Sequence, residues 1–438
     1  MNHDHDTGPR PSGNALLPLG VFFLLYILAF IFTGDLSKMP VSVAFLTASA
    51  VAILSSRGRN IMQRIEIFCR GAANNTILLM VVIFILAGAF SGTARAMGAV
   101  DATVNMILYL LPSKVVVASI FTAACFISMS MGTSCGTIAA LIPIAAGISV
   151  QTGLSLPMLV GVVVGGSMFG DNLSFISDTT IVATRTQHVE MKDKFRANFK
   201  LVTPVALAVL MIYIIRGFLD SHQMQTEING IEWPKVLPYL TVLIMALCGI
   251  NVITVLSTGI VLSGIIGLIT NGFSVWEWCS AISSGIVTDM GELIIVSLMA
   301  GGMFEIIRFN GGINWLILKL TRNIHSPKQA EGAIAGLVAF TDLCTANNTI
   351  ALIITGPLSK QVGEKFRLNP KRIASLIDTT SCFVQSFLPY GAQLLIAAGL
   401  ASVNPVEIIP HLYYPFGLGL IILVSIIFNK SSDTKNKP

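Results

Sequence analysis

Between residues 16 and 428 the chain is a succession of long apolar runs, several of them broken near the middle by clusters of Gly, Asn, Asp, Ser and Thr. Runs of this length match a hydrocarbon core of about 30 Å, so they predict membrane-spanning helices. The first, residues 16–32, lacks a clear small-residue cleavage pattern and reads as a retained span. The polar breaks repeat. Thr133-Ser-Cys-Gly-Thr137-Ile-Ala recurs as Thr345-Ala-Asn-Asn-Thr349-Ile-Ala, and Ser174-Phe175-Ile176 as Ser386-Phe387-Leu388, with 345 − 133 = 386 − 174 = 212. A shared offset predicts an internal duplication of about half the chain. Polar residues at membrane depth are costly, and one such pair per half is the pattern of a site between two repeats.

Charge gives the predicted sidedness. Segments 57–70, 185–200, 308–328 and 360–372, the tail from Lys430, and Arg10 hold 22 of the 27 Lys and Arg, which assigns them to the cytoplasm. Segment 57–70 maps through the offset onto 269–282, which has Trp276, Glu277 and Trp278 but no Lys or Arg; segment 360–372 maps back onto the uncharged 148–160. Equivalent loops then face opposite sides, so the repeats are inverted and each crosses an odd number of times. Parity makes 331–358 a re-entrant hairpin with its tip near Thr345 to Thr349, and 115–147 its mate. Each repeat becomes three spans, a hairpin, one interrupted span (157–184; 372–401) and a last span. The expected fold is an all-α polytopic membrane protein with two inverted-topology repeats, about ten transmembrane helices and two re-entrant hairpins. Its expected segments are a cytoplasmic tail 1–15, repeat 16–217, external loop 218–235, repeat 236–428 and cytoplasmic tail 429–438, in a bacterial cytoplasmic membrane.

Composition narrows the classes further. With 54% hydrophobic and 11% charged residues and a mean hydropathy of +0.78, the chain is no soluble domain. The net charge of +5 is spread over loops, which excludes a nucleic-acid face. Seven scattered cysteines without a CxxC predict buried free thiols, and the six histidines lie in tails or loops, away from any intramembrane metal site. No cofactor and no enzymatic role is expected.

The densest polar stretch within a span is Gly170-Asp-Asn-Leu-Ser-Phe-Ile-Ser-Asp178-Thr-Thr180. Asp171 and Asp178 with Asn172, Ser174, Ser177, Thr179 and Thr180 form a hard-oxygen set suited to Na+, held by the two carboxylates. A carboxylate there also takes a proton, so one site can exchange the two cations by competition. Asp342, one helical turn before Thr345, joins the cation and proton candidates; its mate at the 212 offset is Ser130, so this charge occurs in one half only. Substrate-binding candidates are Thr133, Ser134 and Thr137, beside Gly132 and Gly136 that also suit tight packing, and Thr345, Asn347, Asn348, Thr349, Gln385 and Ser386. Asp378-Thr379-Thr380 echoes Asp178-Thr179-Thr180, but at an offset of 200; for Asp378 a surface ion pair with Lys371 or Arg372 is as good a reading as a site. Glu305 and Arg308, three apart, predict an interfacial ion pair.

The motif GD-x-x-S-x-x-SDTT, here residues 170–180, resembles the signature of the NhaC-type sodium/proton antiporter family within the wider ion-transporter superfamily. The resemblance implies exchange of cations or small molecules, with Asp171, Ser174, Ser177, Asp178, Thr179 and Thr180 at the site. It also implies a homodimer and an elevator-like motion of hairpins and interrupted helices. Two functions follow: sodium/proton antiport, or a sodium- or proton-coupled carrier of an amino acid or organic acid, for which Asn347, Asn348, Gln385 and Tyr390 offer a surface. A third, an intramembrane aspartyl protease suggested by Gly170-Asp171, needs a facing second aspartate and has no use for inverted halves. The expected partners are the bilayer, Na+, H+ and, in the carrier reading, a small organic solute.

Overall fold

Local sequence marks many helix starts directly. Asn60, Ser274, Asn347 and Asn369 each accept a hydrogen bond from a backbone N–H in the first turn of the helix that follows, and Ser274 with Glu277 completes a reciprocal capping box. In the computed structural model, residues 11–33, 39–56, 60–110, 112–174, 177–219, 232–248, 250–321 and 324–428 are described, and helix is the only regular structure among them. Residues 1–10 and 429–438 of the expected tails, all but the ends of the 218–235 loop, and Phe175 and Ile176 of the repeated motif lie outside the described residues, while Gly13–Leu16, where the first tail ends, form a short 3-10 turn leading into the first span.

The first half runs α1 (Leu17–Thr33), α2 (Val41–Ser55), α3 (Ile61–Ala72), α4 (Asn75–Ala96) and α5 (Ala99–Leu110). Then come α6 (Val116–Met131) and α7 (Ser134–Thr152), joined by two residues, the two-part α8 (Leu156–Leu173) and α9 (Asp178–Gln187), and the long α10 (Met191–Leu219). The second half runs α11 (Trp233–Leu247), α12 (Val252–Ile269), α13 (Val275–Ser284), α14 (Met290–Phe309) and α15 (Gly312–Thr321). It continues with the two-residue-linked α16 (Pro327–Thr345) and α17 (Asn348–Lys365), then α18 (Pro370–Gln385), α19 (Ala392–Ala401), the short α20 (Pro405–Ile408) and α21 (Tyr413–Phe428). A π-helical turn, Gly285–Asp289, joins α13 to α14, and its Asp289 pairs with Arg95 of α4 at 2.9 Å.

Among the described residues, seven helical segments are long and apolar enough to cross a bilayer, against the ten or so expected. Five further apolar helices, Val41–Ser55 and Tyr413–Phe428 among them, are shorter. At 1.5 Å per residue, such helices fall short of 30 Å on their own. The chain is a multi-span helical membrane protein.

The segment Leu156–Gln187 sits deepest, with 94% of its apolar window buried, against 19–67% for the other candidate spans. α8 packs tightly on α6: a Cβ on Gly170 would meet Cys125 O, Ser128 Cβ and Met129 N of α6. Only glycine permits that approach. α9 lies against α17 and α18, and α19 against α7 and α8, while α2, α3, α4, α12 and α14 pack together outside this centre. All seven cysteines are free; Cys125, Cys344 and Cys382 are buried, but Cys69 and Cys279, on outward helix faces, and Cys248, in the turn after α11, are exposed. Glu305 and Arg308 form the expected pair at 2.6 Å.

Candidate functional site

The centre of the protein is the break between α8 and α9. Ser174 (ψ 141°) and Ser177 (ψ 140°) are extended, so the C-terminal end of α8 and the N-terminal end of α9 point into the same region. The first end carries partial negative charge and the second partial positive charge. Asp171, in the last turn of α8, is 4% exposed. Its Oδ2 accepts from Ser134 Oγ, the first residue of α7, at 3.0 Å, and its Oδ1 accepts from Ser177 Oγ. Ser177 Oγ and Thr179 Oγ1 share a hydrogen bond of 2.9 Å. Asp178 opens α9 and is exposed.

The α6–α7 and α16–α17 connections approach this break from the two halves, and their backbones match. Gly132 (φ 71°) and Ala346 (φ 50°) are left-handed, and Thr133 (φ −149°) and Asn347 (φ −151°) are extended residues that start the next helix. Between these tips and the breaks lies a cavity of about 360 Å³. Asp171, Ser177, Asp178, Thr179, Thr133, Ser134, Asn347, Asn348, Thr349 and Gln385 all line it, so it gathers most of the candidates from both halves. Leu79, Met80, Ile83, Val252 and Ile253 supply an apolar wall from α4 and α12.

The remaining candidates lie behind the wall and hold it. Thr137 donates to Thr133 O (3.1 Å), Ser386 to Cys382 O (2.6 Å) and Thr345 to Asn347 O (3.1 Å). Thr180 donates to Ser174 O (2.9 Å), and Asn172 Nδ2 to the Tyr414 hydroxyl (3.1 Å). Asp342 is fully buried outside the cavity, and neither of its carboxylate oxygens has a hydrogen-bond partner among the described residues.

Sequence reading missed three features. Gln393, near the start of α19, donates to Ser134 Oγ at 3.0 Å and accepts from Gln385 Nε2 at 2.8 Å, which in turn donates to Ala346 O at 3.3 Å. A continuous chain of hydrogen bonds thus joins Asp171 in the first half to the α16–α17 tip in the second. Asn251, the N-cap of α12, also lines the cavity. Each is a lone carboxamide in apolar surroundings, and that was the available signal.

The third corrects the reading of Asp378. It does not pair with Lys371 or Arg372, which bind Asp193 (2.9 Å) and Glu331 (3.1 Å) at the start of α18. Six or seven residues further along a helix is about 10 Å deeper. Asp378 is there fully buried against Lys194, at 2.7 Å. Lys194, which the charge count placed in a cytoplasmic loop, is itself 1% exposed. The echo of Asp178 in Asp378 is coincidental, since one residue begins α9 and the other lies inside α18.

Among the described residues no group of three His, Cys, Asp or Glu could hold a metal ion. The break offers one buried carboxylate ringed by hydroxyls, which can turn either hydrogen or lone pair toward a guest. Such a set takes a proton or a desolvated alkali cation in turn.

The model for the Na+/H+ antiporter family matches residues 15–218 and 235–429. The chain is 24% identical over 387 residues to the Na+/H+ antiporter NhaC of Bacillus subtilis strain 168, covering 80% of this chain and 83% of that protein. It is 23% identical over 446 residues to the malate-2H+/Na+-lactate antiporter of the same organism, covering 93% of each. To the arginine/ornithine antiporter ArcD of Halobacterium salinarum it is 23% identical over 462 residues, covering 97% of this chain and 93% of that one. With two matched segments that take in both halves and every residue of the cavity wall, the chain belongs to the Na+/H+ antiporter family.

Proposed function

We propose that this protein exchanges Na+ for H+ across the membrane, with Asp171 as the group the two cations share. The observation that carries the assignment is Asp171 itself: a buried carboxylate at a helix break, held by hydroxyls from two other elements and lining the central cavity. Sodium and a proton cannot both occupy those oxygens, so occupancy by one releases the other. Asp178, exposed beside it, draws cations into the cavity, and Ser134, Ser177 and Thr179 complete the oxygen set. Asp342 is a second proton acceptor outside the cavity. No cofactor enters this scheme.

The halves act as inverted repeats, with α6–α7 and α16–α17 as re-entrant hairpins. Three kinds of observation support this. Element starts keep one spacing, 348 − 134 = 370 − 156 = 392 − 178 = 214, two residues more than the motifs suggested. In that register Asp171 pairs with Gln385 and Ser134 with Asn348, and the mate of Asp342 is Ser128. The packing is reciprocal: α9 on α17 and α19 on α7, α2 on α14 and α12 on α4, α10 on α18 and α21 on α8. Finally, Lys328 Nζ at the start of α16 donates to Ile427 O at the end of α21 (2.6 Å), and Arg372 at the start of α18 reaches Glu331 of α16 and Ser425 of α21 (2.7 Å). These contacts support placing both ends of the second hairpin at one level. At the other end of α10, Arg216 donates to Tyr413 at the start of α21 (2.6 Å), and Gly217 packs on Lys114, just before α6. We assign the first level to the cytoplasm of a bacterial cell, and the protein to a homodimer whose hairpins and interrupted helices move together.

Proteoliposome flux tests the function: a sodium gradient should drive counter-movement of protons in the wild type and none in Asp171→Asn. Sodium-independent proton movement would overturn it. A second reading, coupled transport of an amino acid or organic acid, draws on the carboxamides of Asn251, Asn347, Asn348, Gln385 and Gln393 facing the carboxylates. Sodium uptake stimulated by one of a panel of such solutes would favour it.

A further inference from the structure

The pair of Lys194 and Asp378 belongs to no step of the exchange described above, yet it is among the most deeply buried charged groups in the protein. Lys194 lies in the first turn of α10 and uses all three of its N–H donors. Nζ bonds Asp378 Oδ2 of α18 at 2.7 Å, the Asn172 carbonyl at the C-terminal end of α8 at 2.9 Å, and Thr180 Oγ1 in the first turn of α9 at 2.6 Å. Asn198, one turn further along α10, donates to the same Asn172 carbonyl and to Asp378 Oδ2, both at 2.8 Å.

One carboxylate, one main-chain carbonyl at a helix C-terminus and one hydroxyl form the donor set a hard cation selects. The cage also has more acceptors than Lys194 can use. The second oxygen of the carboxylate that Lys194 binds, Asp378 Oδ1, is buried without a hydrogen-bond partner among the described residues. A tie that served packing alone gains nothing from an unpartnered oxygen on Asp378, since buried acceptors without partners are costly. Nor does a buried ion pair as such stabilise a fold relative to apolar packing. Asp378 Oδ1 suits a guest that accepts more ligands than an ammonium has hydrogens.

We infer that Lys194 is a tethered surrogate cation: its ammonium fills a second hard-oxygen site, built from Asp378, the Asn172 carbonyl and Thr180, that takes a free sodium ion when the side chain is removed. The site is distinct from the cavity, whose wall includes neither Lys194, Asn198 nor Asp378. It sits behind the same helix break, so its fixed positive charge balances Asp378 and anchors both sides of that break to α18. The protein thereby carries one internal cation of its own through the cycle in place of a second exchangeable ion.

The test uses the full-length purified protein and thermal unfolding in NaCl against choline chloride at equal ionic strength. In the Asp171→Asn/Asp178→Asn background, which lacks the cavity carboxylates, no sodium-specific change in Tm is expected. Adding Lys194→Ala should produce a rise in Tm of about 2–4 °C in NaCl over choline chloride. Further addition of Asp378→Asn should abolish it. Aggregation of the Lys194→Ala protein in choline chloride with recovery in NaCl supports the inference equally. The same Tm in both salts, aggregation in both, or a sodium shift that survives Asp378→Asn overturns it. A sodium shift already present in the background would instead count against the cavity assignment, while the gain on adding Lys194→Ala still decides this one.

Discussion

At the residue scale, the site rests on how few groups meet Asp171. Two hydroxyls, from Ser134 and Ser177, reach its carboxylate, and each comes from a different helix start. Hydrogen bonds to a charged group are worth about 1.5–3 kcal/mol. Ser177→Ala should therefore weaken apparent sodium affinity about tenfold or more, read from the sodium dependence of proton flux, whereas Asp171→Asn should abolish flux with insertion and expression retained. Competition at one carboxylate also fixes a sign. Protonation removes the anion that sodium binds, so apparent sodium affinity must fall as pH falls, and saturating sodium must release protons. Titration calorimetry in two buffers of different ionisation enthalpy checks this; heats of sodium binding that do not depend on the buffer would count against shared occupancy.

At the element scale, the break in α8–α9 works because its neighbours hold it open. Gly170 lets α6 approach to backbone contact beside Asp171, and Gln393 ties α19 to Ser134 of α7. Overpacking a tight contact costs about 1–3 kcal/mol. Gly170→Val should lower the Tm of purified protein by several degrees and reduce transport with it, because the added carbons meet main-chain atoms of α6 that cannot turn aside. Unchanged stability would mean that α6 and α8 are further apart than described. Removing the cap in Asn347→Ala has the smaller expected cost of about 1 kcal/mol, since only one end of α17 loses a partner.

For the whole molecule, the arrangement of ends makes a topological prediction. Single-cysteine labels at Lys328 and Lys365, in a chain cleared of its seven native cysteines, should both react from the cytoplasmic side, and one at Trp276 from the outside. Lys328 and Lys365 on opposite sides would remove the second hairpin and with it the inverted repeat.

What the sequence determined by itself was whatever is contiguous along the chain. The apolar runs, their Gly- and Asp-marked interruptions, the helix break within 157–184 and the polar turn near Thr345 to Thr349 all follow from local hydropathy and from residues that cap or break helices. Each element can be read in place because its cause lies within a turn or two of it. Tertiary structure alone decided the pairings. Gln393 meets Ser134 across 259 residues, and Lys194 leaves the charged segment 185–200 to meet Asp378 in the interior. A linear count of charges placed Lys194 in a cytoplasmic loop, and proximity to Lys371 and Arg372 left Asp378 open between a surface ion pair and a site, because neither can see how far a helix carries a side chain inward. Nor do the motif offset of 212 and the helix-start spacing of 214 agree, since matching letters align chemistry whereas matching caps and left-handed turns align backbone. The cavity belongs to the structure for the same reason: its wall draws on residues from 79 to 393, and only packing brings them to one place.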